Sequence, residues 1–312
     1  MPKALVLGVN GQDGSYAAEA LLRLGYSVVG VGRQSASRYV AASATFRFRQ
    51  LDLADGAALL AVLAIEQPDV VFHLAAVHGA AGFQYEPVFA AMMAVNVAAV
   101  QTILEYARTQ RPALRLVYAN SAKIFPAPLV GAVNEQTGMR PTCLYSVGKL
   151  AALELIRYYR QRYNIAASNL ILFNHESPRR AAEYFLPTLV AGLARSLNDQ
   201  SYQFGLKTLD FWMDWSSAEE LMEIAVDIGA RAPDADFVLA SGTTWHARKM
   251  VQQWFAHHGL DYTQHIVESL PLQEMGPAFS VELHHLQASI GRTPQRTAFA
   301  VAEELLLALR SH

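Results

Sequence analysis

Cysteine is nearly absent: Cys143 is the single one in 312 residues, so no intramolecular disulfide framework is possible, and the composition fits a reducing compartment such as the cytoplasm. Charge of one sign is lacking as well. Lys and Arg number 25 against 27 Asp and Glu, and this balance argues against a nucleic-acid partner or a membrane surface held by basic residues. Long apolar runs are missing in the linear reading. Ala4-Leu5-Val6-Leu7 stops at Gly8, too early for the core of a secretion signal, and no later run is read as a membrane span. Internal repeats and low-complexity linkers are not found either. What remains is one or two globular domains with a substantial core.

Within that frame, short β-rich runs alternate with longer helical stretches. Strands are predicted at Lys3 to Leu7, Ser27 to Val31, Phe46 to Leu51, Val70 to Leu74, Leu114 to Tyr118 and Asn169 to Phe173. Helices are predicted at Ser15 to Leu24, Gly56 to Glu66, Val88 to Thr109 and Tyr145 to Tyr163. This alternation implies an α/β fold, a Rossmann-type doubly wound parallel sheet with a smaller mixed substrate-binding lobe. A helix at Ser217 to Ile228 and a strand at Phe237 to Ala240 return to the main sheet, so the dinucleotide-binding domain takes residues 1–173 plus about 214–240. The second lobe takes 174–213 plus about 241–312.

Gly8-Val9-Asn10-Gly11-Gln12-Asp13-Gly14 lies between the first strand and the first helix. Glycines let backbone approach a pyrophosphate, and the helix N-terminus offers unpaired N–H groups and positive dipole, so the segment is assigned to a dinucleotide. At the end of the second strand stands Arg33, where an acidic residue would favour NAD. An arginine there suits the 2′-phosphate of NADP, with NAD the alternative. Arg38 is read as a solvated loop residue. Asp52 and Leu53, after the third strand, sit where such folds approach the adenine ring; capping of the next helix is the other role open to Asp52.

Tyr145 and Lys149 are four residues apart and so share one helix face, while Ser121 follows the strand that begins at Leu114, at the carboxyl edge of the sheet. The three form a candidate catalytic set. A free phenol titrates at ~10, so a tyrosine base needs a downward shift of roughly three units, about 4 kcal/mol, which Lys149 and an oxidised nicotinamide would supply. Tyr145 would then remove a sugar hydroxyl proton as hydride leaves the same carbon, with Ser121 hydrogen-bonded to the oxygen.

Several segments resemble the GDP-mannose 4,6-dehydratase family of extended short-chain dehydrogenases. They are Gly11-Gln12-Asp13-Gly14-Ser15-Tyr16, His73-Leu74-Ala75-Ala76, Asn134-Glu135 leading without gaps to Tyr145 and Lys149, and above all Leu172-Phe173-Asn174-His175-Glu176-Ser177-Pro178-Arg179-Arg180. The similarity runs over most of the first 230 residues. It implies a GDP-linked sugar as substrate, contacted by Ser121, Asn174 and Glu176, with the Arg179/Arg180 pair near its phosphates. It also adds Leu74, Ala75, Ala76 and His175 to the cofactor site. The reaction it implies is oxidation at C4, loss of water across C5 and C6, and return of hydride at C6. No metal is needed.

The departures bear on that reaction. Where the family strand reads Ser-Thr-Ser-Glu, this chain reads Asn120-Ser121-Ala122-Lys123, so the carboxylate that serves elimination is replaced by an amine, a poor general base at neutral pH. His78 stands where the family has serine and is a candidate replacement base that titrates in the useful range, or else a hydrogen-bonded loop histidine. Cys143 is read as a packing residue. Met213 occupies a family arginine position. Three outcomes stay open: a 4,6-dehydratase, a GDP-sugar 4-ketoreductase or epimerase, and an inactive nucleotide-binding scaffold. The apolar face of Leu150, Leu153, Leu155, Ile156 and Tyr159 either pairs two subunits of a homodimer or homotetramer or packs within one.

Overall fold

The computed structural model describes residues 1–231, 233–272 and 276–310; residues 273–275 and 311–312 of the expected second lobe lie outside that description. The first half contains β1 (Lys3–Leu7), α1 (Gln12–Arg23), β2 (Ser27–Gly32), β3 (Phe46–Gln50), α2 (Gly56–Glu66), β4 (Val70–His73), α3 (Phe89–Met93), α4 (Ala99–Thr109) and β5 (Arg115–Ser121). Then follow β6 (Gly131–Val133), α5 (Leu144–Tyr163), β7 (Ala167–Leu172), β8 (Asn174–Glu176), α6 (Phe185–Asn198), β9 (Phe204–Leu206), β10 (Trp212–Ser217), α7 (Ala218–Arg231) and β11 (Asp236–Leu239). The chain closes with β12 (Thr244–His246), α8 (Ala247–His257), β13 (Ile266–Glu268), β14 (Phe279–Val281), α9 (His284–Ile290) and α10 (Ala298–Arg310).

Seven strands form one sheet in the order β11-β7-β5-β4-β1-β2-β3, with every pairing parallel. The chain winds outward in both directions from β1, so the order reverses between β1 and β4, which opens a crevice at their carboxyl ends. Central strands are buried on both faces, and β4 accordingly reads Val-Val-Phe-His with every residue buried. The edge strand β3 differs. Phe46 points inward, while Arg47 and Arg49 reach the buried Glu66 carboxylate at 2.9 and 2.7 Å, placing charge on an edge that would otherwise invite another strand.

One face of the sheet carries α1 and α7, and the other carries α2, α4 and α5. The expected plain helix from Val88 to Thr109 is interrupted by a π turn over Ala94–Ala98. By length and composition the segment Glu86–Thr109, with a window of mean hydropathy 1.7, matches a membrane span, which corrects the linear reading that no run is long enough. Its inward side, Val100, Ile103 and Leu104, is buried against the sheet. On α5 most of the face proposed for subunit pairing is consumed within the subunit: Leu153, Ile156 and Tyr159 are buried, and Val147 and Tyr158 face outward instead.

The second lobe is built on the three-stranded sheet β12-β10-β8, with α6, α8 and α10 packed around Trp215 and Trp254. Asp214 to Ser217 belong to β10, so the return to the main sheet begins with α7 at Ala218 rather than near residue 214. Because Phe173 alone separates β7 from β8, the central sheet delivers Asn174 to Arg180 directly into the region between the lobes.

The helix α7 presses on the sheet at Gly229, where an added Cβ would lie 2.6 Å from Phe72 Cζ. Gly229→Ala gains about 1 kcal/mol in helix propensity, but overpacking typically costs ~1–3 kcal/mol. Phe72, 1% exposed in the centre of the sheet, has nowhere to move. We expect net destabilisation of about 1 kcal/mol, read as a lower urea midpoint; a midpoint unchanged or raised would show that the ring yields.

Candidate active site

The loop after β1 is shaped by two glycines. Gly8 has φ +90°, and a Cβ on it would sit 2.8 Å from Ala75 Cα; a Cβ on Gly14 would sit 2.1 Å from Gly8 O. Backbone, not flexible side chain, is what a substitution would strike, and this keeps the N-terminus of α1 open at the crevice. Asn10 then ties the loop to the segment after β2, donating to Gln34 Oε1 and Ala36 O and accepting from the Arg38 N–H. Arg33 and Arg38 are exposed on that segment. Leu53 and Leu74 are buried beside the crevice, and Ala76 is exposed. Asp52 is exposed and accepts from Ala54 N; the cap of α2 is supplied by Asp55, which accepts from Ala58 N, and not by Asp52.

Lys149 is 1% exposed. Its ammonium donates to Ala119 O at 2.6 Å and to Tyr118 Oη at 3.0 Å, and the Tyr118 hydroxyl donates in turn to Asn96 O at 2.8 Å. That carbonyl belongs to the π turn, whose widened geometry also presents Val95 O to His73 Nε2. The Asn96 side chain clamps the backbone of Val77, with Oδ1 accepting from Val77 N and Nδ2 donating to Val77 O. Burial pushes the Lys149 amine down to about 7, against a smaller upward pull from Asp13.

Above this cation lies Tyr145, 6% exposed, its ring 5.7 Å from Lys149 Nζ and within hydrogen-bonding reach of Ser121. Burial, then Tyr85 stacked at 5.6 Å, push the phenol above its usual value, the opposite of the downward shift that a tyrosine base requires. Lys123 Nζ stands 5.9 Å from the same ring, and the His78 ring 4.9 Å from it. His78 does not titrate in the useful range: burial first, then the charges of Lys123 and Arg180, push it down to about 3, so it is a neutral imidazole.

The segment Asn174 to Arg180 locks onto the glycine loop. His175 Nε2 meets Asp13 Oδ1 at 3.0 Å, Gln12 donates to His175 O, and Ser177 Oγ donates to Gln12 Oε1. Burial alone would raise the Asp13 carboxyl, yet His175 holds it down at about 2; burial would lower His175, and Asp13 raises it. Glu176 is buried, which pushes its carboxyl up to about 7 despite Arg180 at 3.3 Å. Asn174 is exposed and open to a ligand. The two arginines diverge. Arg179 turns onto α1, bonding Ser15 Oγ and Glu19 and stacking on Tyr16, so it does not share a phosphate site with Arg180. Arg180 lies 3.6 Å over the Tyr184 ring.

Sequence reasoning missed Tyr118, Asn96 and Tyr184. Asn96 had a signal, a lone amide within the apolar stretch Met92 to Val100; the other two had none. Cys143 is half-buried at the start of α5 and contacts Ser146 Oγ. Away from the crevice, His258 bonds Glu303 and His285 stacks on Phe237. A separate cleft of about 540 Å³, lined by Arg157, Arg160 and Glu282, lies at the far end of β7 and β11, and both its arginines are paired with Asp236.

A family model described as GDP-mannose 4,6 dehydratase matches residues 5–284. A GDP-mannose 4,6 dehydratase of Drosophila melanogaster is 30% identical over 269 residues, 81% of this chain and 67% of that protein. The human GDP-mannose 4,6 dehydratase is 30% identical over 277 residues, 82% of this chain and 72% of its own length. Among solved structures, a dTDP-glucose 4,6-dehydratase from Bacillus anthracis in complex with NAD superposes with a TM-score of 0.83 at 16% identity, covering 100% of this chain and 97% of that one. A UDP-glucose 4-epimerase from Thermotoga maritima with UDP-glucose gives 0.81 at 15% identity, covering 99% of each. The fold is therefore that of these dehydratases and epimerases.

The buried amine makes a stability prediction. Folded, Lys149 sits at about 7, against an ordinary 10.5. Between those values the unfolded chain binds more protons, so stability rises with pH across the window, and below it the full cost of the buried charge applies. Lys149→Met is thus expected to melt above the unsubstituted protein at pH 6, both without ligand, with the gap narrowing toward pH 9. A gap that is absent or widens with pH would contradict this.

Proposed function

The chain belongs to the GDP-mannose 4,6-dehydratase family, and we propose that it is an NADP(H)-dependent enzyme that transfers hydride at C4 of a GDP-linked sugar. The single observation that carries the reading is the convergence of Ser121, Tyr145 and the buried Lys149 at the carboxyl ends of the strands, where the order of the sheet reverses. The glycine loop supports the dinucleotide reading, because Gly8 and Gly14 let the backbone of the loop pack against Ala75 and against itself and so hold the N-terminus of α1 at the crevice. Asn10, Gln12, Asp13 and the backbone of Leu74 to Ala76 would flank it. Arg33 favours a 2′-phosphate; the solved dTDP-glucose 4,6-dehydratase, by contrast, is a complex with NAD.

Bound there, a nicotinamide supplies the acceptor and donor of hydride. Tyr145 takes the proton of the C4 hydroxyl, or returns it to a C4 ketone, and Ser121 holds the same oxygen. Lys149, held by Tyr118 and Ala119 O, would contribute positive charge below the phenol when protonated, and the hydrogen bond from Ser121 opposes the upward push of burial on Tyr145. Asn174 and Arg180 face the sugar and its diphosphate.

Elimination of water needs a base at C5, and the two candidates packed against the Tyr145 ring, Lys123 and His78, are poor ones. Lys123 replaces the carboxylate and His78 is neutral with its basicity depressed to about 3, while Glu176, raised by burial to about 7, faces Arg180 at 3.3 Å. We therefore favour 4-ketoreduction or 4-epimerisation over dehydration as the net reaction.

With NADPH and a GDP-4-keto-6-deoxyhexose, or with NADP and a GDP-hexose, we expect oxidation of NADPH or isomerisation, lowered ~100-fold or more in Tyr145→Phe. A product one water lighter than GDP-mannose would overturn the reading in favour of a 4,6-dehydratase, and no turnover of any of these substrates would favour a scaffold. Arg33→Ala is expected to weaken NADPH binding about tenfold while leaving NADH unchanged; equal loss for both would assign the preference elsewhere.

A further inference from the structure

The histidine beside Tyr145 has a partner that neither the sequence reading nor the reaction above uses. Tyr184, just before α6, places its hydroxyl 2.9 Å from His78 Nδ1, with the two rings nearly parallel at 11°. The imidazole also packs on the Tyr145 ring at 4.9 Å. Besides Tyr145 and Tyr184, the charged and titratable groups that act most strongly on this ring are Lys123, Arg180, Lys149 and His175, from three segments, and none is a carboxylate. A second positive charge is therefore unwelcome, and the ring carries one proton.

Which nitrogen carries it is decided by Tyr184. The Arg180 guanidinium lies 3.6 Å over the face of the Tyr184 ring. Burial raises the Tyr184 phenol and Arg180 pulls it the other way, so it stays a protonated O–H, and a cation on the ring face makes its oxygen a poor acceptor. Its O–H accordingly donates to Nδ1, and the imidazole proton resides on Nε2. Nε2 makes no hydrogen bond with the described residues, and the ring is half-buried, so this N–H is available to a ligand above Tyr145.

We propose that Tyr184 is a positioning residue that holds His78 as the neutral Nε2–H tautomer, making His78 a hydrogen-bond donor to a sugar oxygen over Tyr145 rather than a base. The inference rests on the hydride-transfer reading for its substrate class and deepens it. A neutral donor stabilises negative charge developing on a ketone or alkoxide oxygen without removing a proton from carbon. It also fits the surroundings, since a neutral imidazole adds no charge beside Lys123 and Arg180. No covalent step is assigned to either residue.

The test begins without substrate. In protein labelled with ¹⁵N-histidine, the His78 signals, assigned by their loss in His78→Gln, should show a protonated Nε2 and an unprotonated, hydrogen-bonded Nδ1 at pH 7. In Tyr184→Phe the pattern should shift toward the other tautomer or an average of the two. An Nδ1–H or doubly protonated ring in the unsubstituted protein, or a pattern unchanged by Tyr184→Phe, overturns the proposal whether or not any sugar turns over.

Kinetics supply the second arm, with a 4-keto GDP-sugar and NADPH as the probe. His78→Leu should lower kcat about 10- to 100-fold, while His78→Gln, whose amide N–H can stand in for Nε2–H, should retain most of it. Tyr184→Phe should lower kcat several-fold in the unsubstituted protein and have little further effect in His78→Gln, because the amide has no tautomer to fix. Equal effects of Tyr184→Phe in both backgrounds would make Tyr184 a packing residue and sink the assignment. Absence of turnover in every variant, with the ¹⁵N pattern as expected, would instead remove the hydride-transfer reading and leave the tautomer assignment standing.

Discussion

A single buried ammonium organises this molecule around its crevice. Lys149 is 1% exposed and is held by a carbonyl at the end of β5 and by the Tyr118 hydroxyl. An amine in such a place costs several kcal/mol unless its protons are well directed. Three elements are shaped to direct them: β5 supplies Tyr118 and Ala119, α5 carries the lysine, and the helix from Phe89 to Thr109 widens into a π turn whose Asn96 carbonyl takes the proton of Tyr118. The same turn receives His73 from β4 and pins Val77 through the Asn96 side chain. A charge that folding disfavours thus specifies how four neighbouring elements meet.

Around that cation the site has a definite electrical character. Lys123, Lys149 and Arg180 all approach the region of Tyr145 and His78, and the acidic groups near it are spoken for. Asp13 is paired with His175, and Glu176 lies buried against Arg180. Such a cluster of cations is complementary to negative charge.

The link between the two lobes follows from covalent economy. Phe173 alone separates the buried strand β7 from β8, so Asn174 to Arg180 reach the glycine loop with almost no slack, and Gln12, Asp13, His175 and Ser177 close the contact. Closing a short connection costs little chain entropy, which lets a modest set of hydrogen bonds hold Asn174 to Arg180 against the glycine loop.

Local periodicity and turn chemistry were sufficient for the sheet, its helices, the glycine loop and the shared face of Tyr145 and Lys149, because each depends on residues within a few positions of one another. The Asn174 to Arg180 run was legible as a motif for the same reason. What a residue meets across space was not. Only the packed chain turned Arg179 away from its neighbour onto α1, gave the cap of α2 to Asp55, consumed Leu153, Ile156 and Tyr159 within the subunit, and pressed the basicity of His78 down through burial and two distant cations. Tyr184 met His78 across 106 positions of chain, a separation at which no local pattern in the sequence constrains the partner. Residue types and spacing determined which chemistry the chain could carry; tertiary packing, through desolvation and the charges it gathered, decided where those groups lie and which way their ionisation is shifted.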